Sequence, residues 1–496
     1  MNGQARQRGV RIDFVAPLVV LLCAAVVIAL TSLGSDEQIA FAVLSLTPVF
    51  LIALYVLIQG VVGDRLMGVL SAIVYIFLAT AVFRTRGFDD KSIDFQVAGR
   101  LLAFGMIFVT AFLFFNFALG RFRFPRLFFV WFLFFAALIG CALYSPNVVF
   151  ALTCAVFFMA CYLYSVYMTV WLSRPRAVLV MMCVALLLCA GSIFVYYAIP
   201  SIGLVQAWNP ETQAWTAEKA VGEVGRMRGI VGTPNGVGFV AAFAIVLSVL
   251  YFRVLPPFGK WVAAGILPAA AVCLVLSANR NSMFAVAVAL WVAFVLRKGT
   301  GPKLVITTTL GLVGAVAFVA FSDEIFSLLS RSGNASEVTT LTGRSEIWAV
   351  VIQKWMEQPL YGYGYTSALS ILPLDPRLFH AAAHTHNMLL EVLFSGGLIL
   401  VALFLFGLGE TIVQIRRLGA VNEAALVAFF LVRGLTEPTP FGSMTGFGSF
   451  AFTLTVALVI GQLVAVPTRI VRVSRGHSLS ARGAARVPLR SPLRPV

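Results

Sequence analysis

The chain has 496 residues, 60% of them hydrophobic and only 11% charged, against roughly 25% charged in a soluble domain. A mean hydropathy of +0.96 excludes a soluble globular protein, because too few polar side chains remain to build a water-facing surface. The formal charge of +16 sits in short Lys and Arg clusters between apolar runs, a pattern of membrane topology rather than of a nucleic-acid surface.

A hydrocarbon core about 30 Å thick takes about 20 apolar residues in a helix. Fourteen runs of near that length follow one another: 14–33, 39–62, 66–83, 101–119, 127–144, 148–172, 177–199, 236–252, 261–277, 282–296, 304–321, 387–409, 424–436 and 447–466. The first follows Arg6, Arg8 and Arg11 and ends in Thr31-Ser32-Leu33-Gly34 without a small-x-small cleavage pattern, so it is expected to stay as an anchor. With the N-terminus inside, Arg65, the Arg121 to Arg126 cluster, Arg174, Arg176, Arg253, Lys260, Arg297, Lys298, Lys303, Arg416 and Arg417 all fall on the inner side. Most acidic residues fall on the other. The expected fold is all-α, a polytopic helical bundle of about 14 transmembrane helices with two long outer loops.

Residues 1–200 then carry seven helices, 201–235 the first long outer loop, 236–321 helices eight to eleven, 322–386 the second long loop, 387–466 helices twelve to fourteen, and 467–496 a tail. The tail has seven arginines, no acid and scattered Pro, Ser and Gly, which suits a disordered segment lying against lipid headgroups. A shorter outer loop, Arg84 to Arg100, mixes bases with Asp89, Asp90 and Asp94 and reads as a solvated cap. Cys23, Cys141, Cys154, Cys161, Cys183, Cys189 and Cys273 all lie inside apolar runs and no CxxC occurs, so neither disulfides nor a zinc site are expected.

Chemistry is expected where the chain meets outer water. Arg228 closes the first long loop in Arg226-Met227-Arg228-Gly229, ahead of a tight Thr233-Pro234-Asn235-Gly236 turn, and Arg280 sits in the outer turn Ser277-Ala278-Asn279-Arg280-Asn281-Ser282. Arginines on the outer side break the positive-inside rule. They either snorkel to lipid phosphates or grip a lipid-linked diphosphate with their forked guanidinium groups. Thr342-Gly343-Arg344-Ser345-Glu346-Ile347-Trp348 opens a stretch with apolar residues every three to four positions. It predicts an amphipathic surface helix, followed by a flexible glycine turn in Tyr361-Gly362-Tyr363-Gly364-Tyr365.

His380, His384 and His386 lie within seven residues at the head of the twelfth run. Histidine exchanges a proton near neutral pH, and a helix head is both fixed and water-accessible. The plainer reading is a helix cap from Thr385 or Asn387 with the rings at the interface. A zinc pair would need a third ligand that no suitable spacing supplies. Inside the apolar runs, Glu391 either bonds within the bundle or orients the loop end, while Arg433 and Glu437 are spaced for an i,i+4 ion pair.

Taken in order, Arg228-Gly229 through Pro234-Asn235, the Ser277 to Ser282 turn, Gly343-Arg344 with Ile347-Trp348 and Pro359-Leu360-Tyr361-Gly362-Tyr363-Gly364, then His386-Asn387 with Glu391 and Gly396-Gly397, resemble the bacterial O-antigen ligase and O-antigen polymerase superfamily. The likeness spans about residues 226 to 400. It departs at Ala278-Asn279, where the family often has a second Ser, and in the additional His384.

The resemblance implies a bundle in the bacterial inner membrane with both termini cytoplasmic and the long loops periplasmic. It implies an inverting, metal-independent and cofactor-free glycosyltransferase moving a glycan from an undecaprenyl-diphosphate donor. On that footing Arg228 and Arg280 hold the diphosphate, Arg344 is a further donor-site candidate, His386 activates the acceptor hydroxyl and Glu391 supports it. The acceptor is lipid A core in a ligase and a second lipid-linked glycan in a polymerase; nucleic acid is not expected as a partner. A lipid-linked glycan transporter is the reading from another class, and it predicts ionisable groups spread across the midplane of several helices.

Overall fold

The computed structural model describes residues 65–82, 95–118, 121–209, 214–217, 219–221, 224–297, 305–307, 309, 344–378, 384–442 and 446–464. The runs at 14–33 and 39–62, most of 304–321, His380 and the basic tail lie outside the described residues. Of the remaining runs each is a helix. These are α1 (Arg65–Thr80), α2 (Phe95–Ala118), α3 (Arg126–Ala142), α4 (Val148–Tyr167), α5 (Arg174–Ala198), α6 (Pro234–Tyr251), α7 (Pro257–Leu276), α8 (Arg280–Arg297), α10 (Met388–Leu418), α11 (Val421–Gly434) and α12 (Gly446–Leu463). The predicted surface helix is α9 (Arg344–Glu357). Among the described residues, eight helices are long and apolar enough to cross a membrane, and α1 and α3 are shorter apolar ones.

Capping sets where the helices start. Asn147 accepts from Phe150 N ahead of α4, Thr233 accepts from Gly236 N ahead of α6 with Pro234 in its first turn, and Asn387 accepts from Leu389 N and Leu390 N ahead of α10. Lipid offers no hydrophobic drive between helices, so close packing of shape must hold them. Trp131, Phe134, Phe135, Phe158, Phe404, Phe441 and Phe452 form a mostly edge-on aromatic cluster that joins α3, α4, α10 and α12. Trp131 Nε1 donates to Thr411 Oγ1 at 3.0 Å, which satisfies its indole inside the bundle. The six described cysteines are free.

The helices alternate direction, so their ends divide into two sets. One end gathers Arg174, Glu423 and Tyr251: Arg174 Nη2 and Tyr251 Oη both donate to Glu423 Oε1, at 2.5 and 2.9 Å. The other end gathers the last turns of α1, α5, α7 and α11 with the first turns of α6, α8, α10 and α12. Every described candidate residue lies at this second end.

Two features depart from the helical expectation. The α5 to α6 connection contains two antiparallel hairpins, β1 (Gln206–Asn209) with β2 (Ala214–Ala217) and β3 (Lys219–Val221) with β4 (Val224–Gly225). The second is a break in α10 at Gly396 and Gly397, where φ and ψ leave the helical region. The stretch 359–365 fills the gap with backbone bonds: Tyr363 N to Phe394 O, Gly364 N to Ser395 O, and Leu398 N to Pro359 O. The glycines at 362 and 364 therefore sit in a locked turn rather than a flexible one. Gly362 (φ +64°) and Gly364 (φ +94°) supply the left-handed backbone it needs.

Candidate active site

The segment that carries the histidines is fixed from below. Glu391, 1% exposed in the first turn of α10, takes Thr385 Oγ1 at 2.8 Å and Thr385 N at 3.3 Å through Oε2. Of the two roles open to it in sequence, Glu391 thus orients the loop end. Trp348 Nε1 of α9 donates to Thr385 O at 3.0 Å, and Asn387 Nδ2 donates to Leu435 O. Between these anchors His386 adopts φ +51°, a left-handed conformation that costs a non-glycine residue about 1–2 kcal/mol. The strain sits on the residue singled out for chemistry.

His384 and His386 cross at right angles with ring centroids 6.4 Å apart. Among the described residues neither buried Nδ1 has a hydrogen-bond partner. Desolvation pushes His384 down to about 4, helped by its neighbour His386. Desolvation also lowers His386, opposed by Glu437 and reinforced by Arg344. Both rings are neutral near pH 7, the form that accepts a proton.

Both line a cavity of about 230 Å³ at the end of the bundle, together with Arg100, Thr233, Asn235, Phe239, Arg433, Glu437 and the Gly446-Phe447-Gly448 head of α12. A polar network runs along this wall. Arg344 Nη2 meets Glu437 Oε1 at 2.9 Å and Asn235 Nδ2 meets the same oxygen at 3.0 Å. Arg433, 1% exposed, donates to Ser282 Oγ and to Asn235 O, and its guanidinium lies 4.8 Å from the centre of the Phe239 ring. The expected i,i+4 bridge between Arg433 and Glu437 is not the one formed. The carboxylate bonds Arg344 and Asn235 instead, while the two terminal nitrogens of Arg433 point to Ser282 Oγ of α8 and Asn235 O of α6.

Arg344, His386 and Glu391 are thus brought together, Arg344 through Glu437 and Glu391 through Thr385. Arg228 and Arg280 stand beside this cavity rather than on its lining. The Arg226 to Arg228 strand is stitched to the α7–α8 turn: Met227 N donates to Leu276 O, Arg226 Nε to Ser277 O and Asn279 Nδ2 to Asn235 O. Burial lowers the Arg228 guanidinium from its usual range. In sequence Arg100 carries no functional signal, and Asn235 and Thr385 show only as part of a turn and as a helix-cap candidate. Arg100 is expected at the end of a solvated loop, yet α2 begins at Phe95 and carries it into the cavity wall, where it donates to Ala81 O at 3.0 Å. The Pro-Asn turn was the one available signal for Asn235.

Among the described residues no three His, Cys, Asp or Glu side chains come together as a metal ion would require. What the fold and site define is a multi-pass helical membrane protein with a polar cavity at one end of its bundle. Residues 263–405 match the family model for O-antigen ligase, and this match bears out the resemblance to the ligase and polymerase superfamily. No curated protein matches the chain.

Proposed function

We propose that this protein is a membrane glycosyltransferase of the O-antigen ligase type, transferring a glycan from an undecaprenyl-diphosphate donor to lipid A core on the periplasmic face of the bacterial inner membrane. The observation that carries this is the pair of neutral histidines held by Glu391, Thr385 and Trp348 at the mouth of an arginine-lined cavity. That arrangement suits acyl-free group transfer from a charged leaving group. His386 takes the proton of the acceptor hydroxyl as its oxygen bonds to the anomeric carbon. The bond from that carbon to the diphosphate oxygen breaks, with inversion, and the leaving diphosphate keeps the electron pair. Arg228, Arg280 and Arg344 hold and neutralise the diphosphate as its charge grows. Glu391 keeps the histidine segment in place, and no metal or other cofactor is needed for these steps.

The second reading, a polymerase joining lipid-linked repeats, uses the same residues with a different acceptor. In a bacterium lacking the corresponding gene, restored with wild type or His386→Ala, the polyprenyl-linked and lipid A core-linked glycans are separated by gel. Long glycan on the core with wild type, replaced by long polyprenyl-linked chains with His386→Ala, supports the ligase. Accumulated single repeats mean a polymerase, and full rescue by His386→Ala removes His386 from the mechanism.

A further inference from the structure

Arg433 is unexplained by the reaction just described. It is among the largest fully buried side chains, yet both hydrogen-bond partners of its guanidinium, Ser282 Oγ and Asn235 O, are neutral. Its Nε is buried with no partner, and the side chain lines the cavity. Placing a charge where water does not reach is costly unless an opposite charge compensates it. Among the described lining residues Glu437 is the one acid, and its Oε1 is already engaged by Arg344 and Asn235. The Phe239 ring face supplies only partial compensation.

The rest of the wall has the same sign. Arg100 of α2 is a second cation on the lining. The first turns of α6 (Asn235, Gly236) and of α12 (Gly446, Phe447, Gly448) both abut the cavity, so two 18-residue helices direct the positive ends of their dipoles at it. The volume of about 230 Å³ is below the range of about 300–1,000 Å³ that holds a drug-sized ligand. It suits a charged headgroup rather than a whole glycan.

We propose that Arg433, with Arg100, binds a phosphate of the lipid-linked diphosphate donor inside this cavity, between the N-termini of α6 and α12 and beside His386. The inference rests on the donor assigned above and adds a subsite to it: Arg228 and Arg280 meet the donor outside the cavity, and Arg433 and Arg100 meet it within. The buried charge of Arg433 is then compensated by the substrate phosphate.

The test uses the purified full-length protein in lipid nanodiscs. Binding of undecaprenyl diphosphate, inorganic pyrophosphate, undecaprenol and a phosphorylated lipid A is measured for wild type, Arg433→Lys, Arg433→Gln, Arg100→Gln and Arg228→Gln. Charged hydrogen bonds of this kind correspond to a loss of about ten-fold or more in affinity. The expected result is that loss for undecaprenyl diphosphate and pyrophosphate in Arg433→Gln and Arg100→Gln, a smaller loss in Arg433→Lys, and no change for undecaprenol. If Arg433→Gln does not fold, as judged by its elution and Tm, Arg100→Gln decides. Loss confined to the phosphorylated lipid A overturns the donor assignment of this subsite. Unchanged binding of the donor in both variants, with loss in Arg228→Gln, overturns the subsite and leaves the proposed function standing. No donor binding by the wild type overturns both.

Discussion

Glu437 holds Arg344 at 2.9 Å across 93 positions of sequence, and so ties the head of the surface helix α9 to the cavity wall that carries Arg433. The Arg344 side chain is 21% exposed and that of Glu437 7%, so water screens this bridge only in part. A double-mutant cycle of Arg344→Gln and Glu437→Gln is expected to give a coupling of about 0.5–3 kcal/mol in thermal unfolding. Purely additive Tm changes would mean that the pair is not coupled. Glu437→Leu should in addition lower transfer activity, because Arg344 and Asn235 lose their shared acceptor at the same time.

Thr385 connects Glu391 to the histidine segment, so Thr385→Val should mimic the loss of Glu391. Taking the hydroxyl, the nearer of its two donors, from a buried carboxylate costs on the order of 1 kcal/mol, with Thr385 N still donating. The expectation is a lower Tm for Thr385→Val and for Glu391→Ala, a severe loss of glycan transfer in both, and partial recovery in Thr385→Ser, which restores the hydroxyl. Wild-type transfer by Thr385→Val would show that the strained His386 conformation needs no support from Glu391.

Acidification should destabilise the fold through His384. Its folded value is about 4, against about 6.5 for a free imidazole. The unfolded chain therefore binds more protons between those two values, and stability rises with pH across that window. The contribution is fully present above about pH 6.5 and lost as pH falls towards 4. Tm measured from pH 7.5 to 5 should decline, and the decline should be shallower in His384→Gln. Equal slopes would remove His384 as the source.

Gly397 stands at φ +60° in the break of α10, and a Cβ there would collide with the Leu360 carbonyl. Strained backbone of this sort costs about 1–3 kcal/mol before the clash is counted. Gly397→Ala should lower Tm by several degrees and broaden elution in detergent, whereas Gly409→Ala, in the same helix with open space around it, should leave both unchanged. A well-behaved Gly397→Ala protein would mean that the inserted turn can retreat.

Helices were legible in sequence because long apolar runs have one stable form in lipid, with every backbone group bonded internally. The cavity was less so. Its walls come from α1, α2, α6, α11 and α12 as well as the histidine segment, and no periodicity reveals which distant turns meet. Arg433 and Glu437 show the limit well: their spacing suggested a private pair, but a third residue, Arg344, outcompeted one of them. Arg100 was hidden by the position of a helix start, since α2 begins at Phe95, ahead of the apolar run that starts at Leu101. The roles of Arg228 and Arg280 rested on resemblance and exposure, and the structure shows only their place beside the cavity.

The glycine break in α10 bears on how the protein is made. Leu398 N takes the carbonyl of Pro359, from a stretch that precedes α10 in the chain and lies outside its helix. A helix that borrows its bonds in this way cannot be completed as a self-contained rod when it first enters the bilayer. Its two halves, Met388 to Ser395 and Leu398 to Leu418, must wait for residues 359–365 to fold back against them. Biogenesis is thereby given an order: the segment that precedes α10 is a structural part of that membrane helix, and the site forms only after the two have joined.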